Sequence, residues 1–179
     1  MAEKRLARLR RDRIDLWQLH PIDPRVPADG QRGALVQFQR EGLVPHVGLS
    51  EVSVPDIELA RQNLPVVSVQ NRYNVTDRSW EDVLKYCESE RLAFIPWFPL
   101  SRGHLDDHGP LARVAKRQHV TVAQVALAWL LGRSTAMLVI PGTSSVGHLE
   151  ENVSAAGVRL TEADMNEFDC LAHPAGSAH

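Results

Sequence analysis

His20 closes the run Ile14-Asp15-Leu16-Trp17-Gln18-Leu19-His20 and is followed at once by Pro21. The run is apolar at Ile14, Leu16, Trp17 and Leu19, as expected of a parallel strand covered on both faces, and the proline ends it. A histidine at the carboxyl tip of such a strand stands where barrels of alternating strands and helices bind their ligands. Taken alone, it reads equally well as a ring bonded to a nearby carbonyl. Three more strand ends carry polar or aromatic groups: Ser50-Glu51, Gln70-Asn71 and Trp97-Phe98. A fifth runs into Pro141-Gly142-Thr143-Ser144-Ser145, a small-residue loop that opens a helix containing Glu150-Glu151-Asn152. Amides and hydroxyls at a helix N-terminus suit an anion such as a phosphate.

The elements that position these groups alternate along the chain. Strands are predicted at 14–20, 44–50, 66–71, 93–98 and 137–141. A basic N-terminal stretch with Leu6 and Leu9 on one helical face precedes the first strand. Helices follow at about 31–41, stopped by Gly42, and 55–62, opened by Pro55. Next come 80–90, with Ser79 as cap, then 111–118 and 122–131. Thr121 is placed to cap the last of these and Gly132 to end it; it is apolar nearly all round and should be buried. Helices at 146–155 and from Thr161 to about Leu171 complete the pattern, the latter opened by a capping-box sequence. Such alternation implies parallel βαβ units with right-handed crossovers. Five strands fall short of the eight strands and roughly 250 residues of a closed barrel, so the sheet is either open or part of a barrel.

Composition narrows the classes. The 179 residues are 44% hydrophobic, enough for one core, and the net charge of −2 gives no pull toward nucleic acid or membrane. Cys87 and Cys170 have no CxxC spacing, which fits a reducing cytoplasmic setting and offers neither a disulfide framework nor a zinc site. No apolar run approaches the ~18 residues of a membrane span. The spacing of His104 and His108 would suit a metal on a helix, but Gly103, Gly109 and Pro110 mark a solvated loop, and no metal is expected. The arginine-rich first 13 residues read as a surface helix rather than a docking arm. No GxGxxG or P-loop motif is present.

In order along the chain, "IDLWQLH", "VGLSEVSV", "VVSVQNRYN", "FIPWFPLSRG", "VAQVALAWLL" and "VIPGTSSVGHLEEN" resemble the aldo-keto reductases from about Arg5 to Leu171. The "GLSEVSV" and "WFPL" variants look most like a bacterial branch that includes pyridoxal reductases. The resemblance implies an α/β fold, a partial TIM (β/α)8 barrel of five parallel strands with helices whose first three strands are absent. It spans residues 1–171, with 172–179 a flexible tail. It implies carbonyl reduction of a small aldehyde or ketone with NADP(H), NAD(H) being the alternative. His20 would match the histidine that orients the substrate carbonyl, and Ser50 and Gln70 the side chains that bond the nicotinamide carboxamide. Glu51 stands where the family commonly has Asn, and its charge must be solvated or paired. Trp97 would stack on the nicotinamide beside Phe98, with Leu100, Ser101 and Arg102 along the pyrophosphate. Gly142, Thr143, Ser144 and His148 would lie near the 2′-phosphate, and Glu151 and Asn152 at the adenine.

The family's catalytic tetrad of Asp, Tyr, Lys and His is matched here only by His20. The only tyrosines are Tyr73 and Tyr86, and the only lysines Lys4, Lys85 and Lys116. Tyr73 alone is expected near the mouth, with no lysine beside it. The expectation is therefore a reductase by descent that is inactive as this chain alone. The alternatives are a non-catalytic NADP(H)-binding or regulatory module, or a fragment needing a complementary chain. Two exposed sheet edges, at Ile14–His20 and Met137–Ile140, should favour self-association or such a partner.

Overall fold

Four parallel strands, β1 (Leu16–Leu19), β2 (His46–Ser50), β3 (Val66–Arg72) and β4 (Ala93–Trp97), pair in sequence order in one sheet. The computed structural model describes residues 2–20, 22–23, 25–101, 105 and 108–171. The helices are α1 (Ala2–Leu9), α2 (Ala28–Arg40), α3 (Val54–Arg61), α4 (Glu81–Glu90), α5 (Pro110–Gln118), α6 (Val122–Arg133), α7 (Val146–Ser154) and α8 (Glu162–Asp169). A 3-10 turn, Ala155–Gly157, follows α7.

The predicted fifth strand is reduced to a bridge between Phe94 and Met137. Phe94 N donates to Ala136 O and Leu138 N to Phe94 O, each at 2.8 Å. Hydrogen-bonding direction alternates along a strand, so the next residue of β4 facing this side is Pro96. Proline has no N–H, so the next bond from β4 to this segment is missing. Pro141 lies three residues beyond Leu138. Among the described residues, the backbone bonds on the outer side of β4 are to 136 and 138, while β1 forms the other edge, with Leu16 38% exposed.

Helix ends follow local chemistry. Ser53 with Asp56, Thr121 with Gln124 and Thr161 with Asp164 each form a complete capping box at α3, α6 and α8. Gly42, at φ +72°, terminates α2 as expected. Ser79 does not cap α4. Its hydroxyl donates to Asp77, and Trp80 occupies the cap position without a side-chain bond. Gly132 does not end α6 either. The helix runs through it to Arg133, and Gln124 to Leu130 are all buried, so packing along its whole circumference outweighs the glycine. Helix α8 stops at Asp169, short of Leu171.

The core lies between the sheet and the helices, with Leu49, Val69, Tyr73, Phe94, Ile57, Trp129 and Phe168 at most 1% exposed. Arg78 straps α8 onto it. Its guanidinium lies 4.7 Å over Trp129 and bonds Asp169 and the Phe168 carbonyl, both at 2.7 Å. Arg102, the rest of the 102–104 and 106–107 loop, and the tail 172–179 lie outside the described residues.

Candidate active site

Successive side chains along a strand point to opposite faces. Register aligns Gln18, Gly48, Ser68 and Ala93 in one row. Two residues further along, the same face carries His20, Ser50, Gln70 and Ile95, and beyond them Arg72 and Trp97. The lower row is crowded. Gln18 Nε2 donates to Ser68 Oγ at 3.2 Å directly across Gly48. A Cβ on Gly48 would lie 1.8 Å from Gln18 Oε1 and 2.3 Å from Ser68 Oγ.

The upper row is linked by hydrogen bonds. His20, exposed at the tip of β1, has Nδ1 2.6 Å from Ser50 Oγ, and Ser50 Oγ donates to Gln70 O at 2.8 Å. Ser50 is fully buried and Gln70 partly so. The sequence-predicted residues at the first three strand tips are thus one connected unit.

Glu51 begins the turn after β2 in the left-handed region, at φ +55°. Two contacts hold that turn. Glu51 N donates to Gln70 O at 3.0 Å, and the buried Asn71 side chain bonds both the N–H and the carbonyl of Val52, at 3.2 and 2.8 Å. So fixed, the carboxylate reaches across the sheet. Glu51 Oε1 accepts from Arg72 N at 3.0 Å and from Trp97 Nε1, pinning the indole; Oε2 takes neither bond. The carboxylate expected to need a partner has two.

Arg72 completes the tip. Its guanidinium lies 5.8 Å from the Trp97 ring and 5.0 Å from Phe98, and it pairs with Asp77 at 2.9 Å. Sequence reasoning missed Arg72 and Asn71's anchoring role. Alternation from Gln70 was the available signal, since it places Arg72 on the site face and Asn71 behind it.

Tyr73 is not at the mouth. By the same alternation it lies on the helix side, 0% exposed, stacked 5.9 Å from Trp129 and donating to Glu81 Oε2 of α4 at 2.5 Å. Burial pushes its phenol well above the usual range, and the bond to the Glu81 carboxylate pushes it further. It is a core residue.

The remaining predicted residues lie on two other segments. Phe98, at φ +65°, and Ser101, at φ +48°, shape the turn after β4, with Leu100 packed on the core. Gly142, Thr143, Ser144 and His148 are exposed around the start of α7, where Thr143 Oγ1 accepts from Ser145 N and Ser145 Oγ from His148 N. Glu151 and Asn152 are partly buried one turn later. Among the described residues no group of three metal-ligating side chains comes together, and no helix is long and apolar enough to cross a membrane.

The family model described as the Aldo/keto reductase family matches residues 1–173. An uncharacterized oxidoreductase of Schizosaccharomyces pombe is 51% identical over 165 residues, covering 92% of this chain and 54% of that protein. Pyridoxine 4-dehydrogenase of Escherichia coli is 38% identical, covering 88% of this chain and 57% of its own length. The chain therefore spans somewhat over half the length of these curated relatives. The crystal structure of an aldo-keto reductase from Klebsiella pneumoniae in complex with NADPH superposes with a TM-score of 0.84 at 27% identity, over 95% of this chain and 62% of that one.

Proposed function

Because the chain belongs to the aldo/keto reductase family, we propose that its strand tips form the substrate and nicotinamide side of an NADP(H) site that interconverts a small aldehyde or ketone and its alcohol. The observation that carries this reading is the convergence of His20, Ser50, Gln70 and Trp97 at the carboxyl ends of four consecutive parallel strands.

The donor set fits a dinucleotide. Trp97 offers a held aromatic face beside Phe98, and Ser50, Gln70 and the Glu51 carboxylate are the groups for a carboxamide. Leu100, Ser101 and Arg102 are assigned to the pyrophosphate. Gly142, Thr143, Ser144 and His148 at the start of α7 are assigned to the 2′-phosphate, which such a terminus favours, and Glu151 and Asn152 to the adenine. The NADPH bound to the Klebsiella relative supports NADP(H) over NAD(H). The cofactor, when bound, supplies or takes the hydride. The chain's own part is to orient the substrate oxygen with His20 and to hold Trp97 as a rigid wall through Glu51.

No Tyr–Lys pair shares this face. Tyr73 is in the core, Tyr86 on α4 bonds Arg61, and Lys85 and Lys116 are exposed on α4 and α5. A positioned general acid contributes roughly 10² to 10⁴ in rate. We therefore assign that acid to a complementary segment docking on the β1 edge, and expect the chain alone to bind NADPH but to reduce pyridoxal only at background. Titration with NADPH, followed by tryptophan quenching, tests the binding. A folded chain with no saturable change sinks the proposal, and Trp97→Ala should remove much of the signal. If a polypeptide carrying the complementary strands restores turnover and His20→Ala then impairs it, the chain is one part of a split reductase. If binding is present but no such polypeptide restores turnover, the chain is an NADP(H)-binding module.

A further inference from the structure

Glu51 carries a negative charge that no cation among the described residues answers. Its two partners, the Trp97 indole N–H and the Arg72 backbone N–H, are neutral donors. The Arg72 guanidinium is committed to Asp77 at 2.9 Å, and no ion pair among the described residues includes Glu51. Two carboxylates and one guanidinium leave this cluster with one net negative charge. It is held in place, because the bond to Trp97 fixes the carboxylate at the edge of the indole. A half-buried carboxylate without a cation is a position that a positive charge stabilises.

The two forms of the cofactor differ in that charge. The oxidised nicotinamide ring is a pyridinium cation and the reduced ring is neutral, while the phosphates, riboses and adenine are the same in both. We propose that Glu51 is the counter-ion of the oxidised nicotinamide, raising the affinity for NADP⁺ relative to NADPH. A ring stacked on Trp97 lies beside this carboxylate. An amide at position 51 would keep an acceptor for both N–H groups and lose only the charge. Arg72 works against Glu51, its guanidinium lying 5.8 Å from the same indole, and Asp77 offsets it. A site biased toward the pyridinium is biased toward the form that takes a hydride from an alcohol. The inference rests on the reading of the strand tips as a nicotinamide site and adds to it the redox form that the charge favours.

The test is the ratio of the dissociation constants of NADP⁺ and NADPH, each titrated on the full 179-residue chain by tryptophan quenching at one pH and ionic strength. Contacts to the phosphates and adenine cancel in this ratio. Glu51→Gln should raise it about three- to tenfold, the size of one unit charge acting across a ring's width in a partly wet site. The rise should come from weaker NADP⁺ binding at nearly unchanged NADPH binding. A merely structural role for Glu51 would weaken both forms alike. Arg72→Gln leaves Asp77 without its cation and should move the ratio the other way, by a smaller factor. An unchanged ratio in Glu51→Gln overturns the counter-ion role. So does an unchanged or higher ratio in Arg72→Gln, a readout that stands even if Glu51→Gln fails to fold. If the folded, unmodified chain binds neither form, the nicotinamide reading itself fails. Binding of both forms with an unmoved ratio leaves that reading intact and removes the counter-ion alone.

Discussion

Tyr73 and Gln70, three residues apart at the end of one strand, project to opposite faces of the sheet, Gln70 toward the strand tips and Tyr73 into the helix-covered core. Tyr73→Phe should accordingly leave NADPH binding unchanged. It removes the donor to Glu81 within the core and should lower the unfolding free energy by about 1–3 kcal/mol, read from the urea midpoint. An effect on NADPH affinity at unchanged stability would return Tyr73 to the site.

Glu51 holds Trp97 through its indole N–H. In Glu51→Ala the ring loses its anchor. NADPH binding should weaken by about tenfold, near the 1.5 kcal/mol of a hydrogen bond to a charged group, and the Trp97 emission should shift. Glu51→Gln keeps an acceptor oxygen and should retain most of the affinity. Equal loss in both variants would mean that the charge, not the anchor, is what matters.

Gly48 lies under the amide of Gln18 and against Ser68. Gly48→Ala should destabilise by about 1–3 kcal/mol through overpacking. Gln18 can swing aside, whereas the short Ser68 side chain on β3 has little room to give. Adding Ser68→Gly should therefore recover part of the loss, and thermal denaturation of the single and double variants checks it.

Asp164 is 4% exposed, where burial alone would raise its carboxyl. The bonds that both oxygens accept from Arg117, at 2.7 and 2.8 Å, and those with Thr161 outweigh burial and hold it below the ordinary carboxylate value. A depressed folded-state value stabilises the protein above the unfolded pKa of about 3.9. That contribution is lost as pH falls through the folded value. Asp164→Asn should be less stable at pH 7, and the gap should narrow below about pH 4 in a urea series.

Much of this was legible in the sequence where one residue decides the outcome locally. Thr121 and Thr161 announce their helices because a hydroxyl and a carboxamide or carboxylate three residues on satisfy each other without distant help. His20, Ser50, Gln70 and Trp97 are legible as strand tips because proline or turn residues follow each apolar run. What stayed hidden depends on neighbours far along the chain. Ser79 looks like a cap until Asp77 claims its hydroxyl. Tyr73 looks accessible until alternation is counted past the end of β3. Arg72 acquires its role only when β4 brings Trp97 alongside.

Pro96 has a mechanical consequence. The segment after Met137 is tethered to the sheet by the Phe94 bonds, and the first donor it would need beyond them does not exist. Among the described residues no ladder bond ties 139–145 to β4, though Val139 still packs on the core; Leu138, 54% exposed, is the last tether. Movement of the loop leading to α7 would leave His20, Ser50 and Trp97 held by their own bonds. Amide exchange should register that division, with protection at Phe94 and Leu138 and fast exchange from Val139 to Ser144.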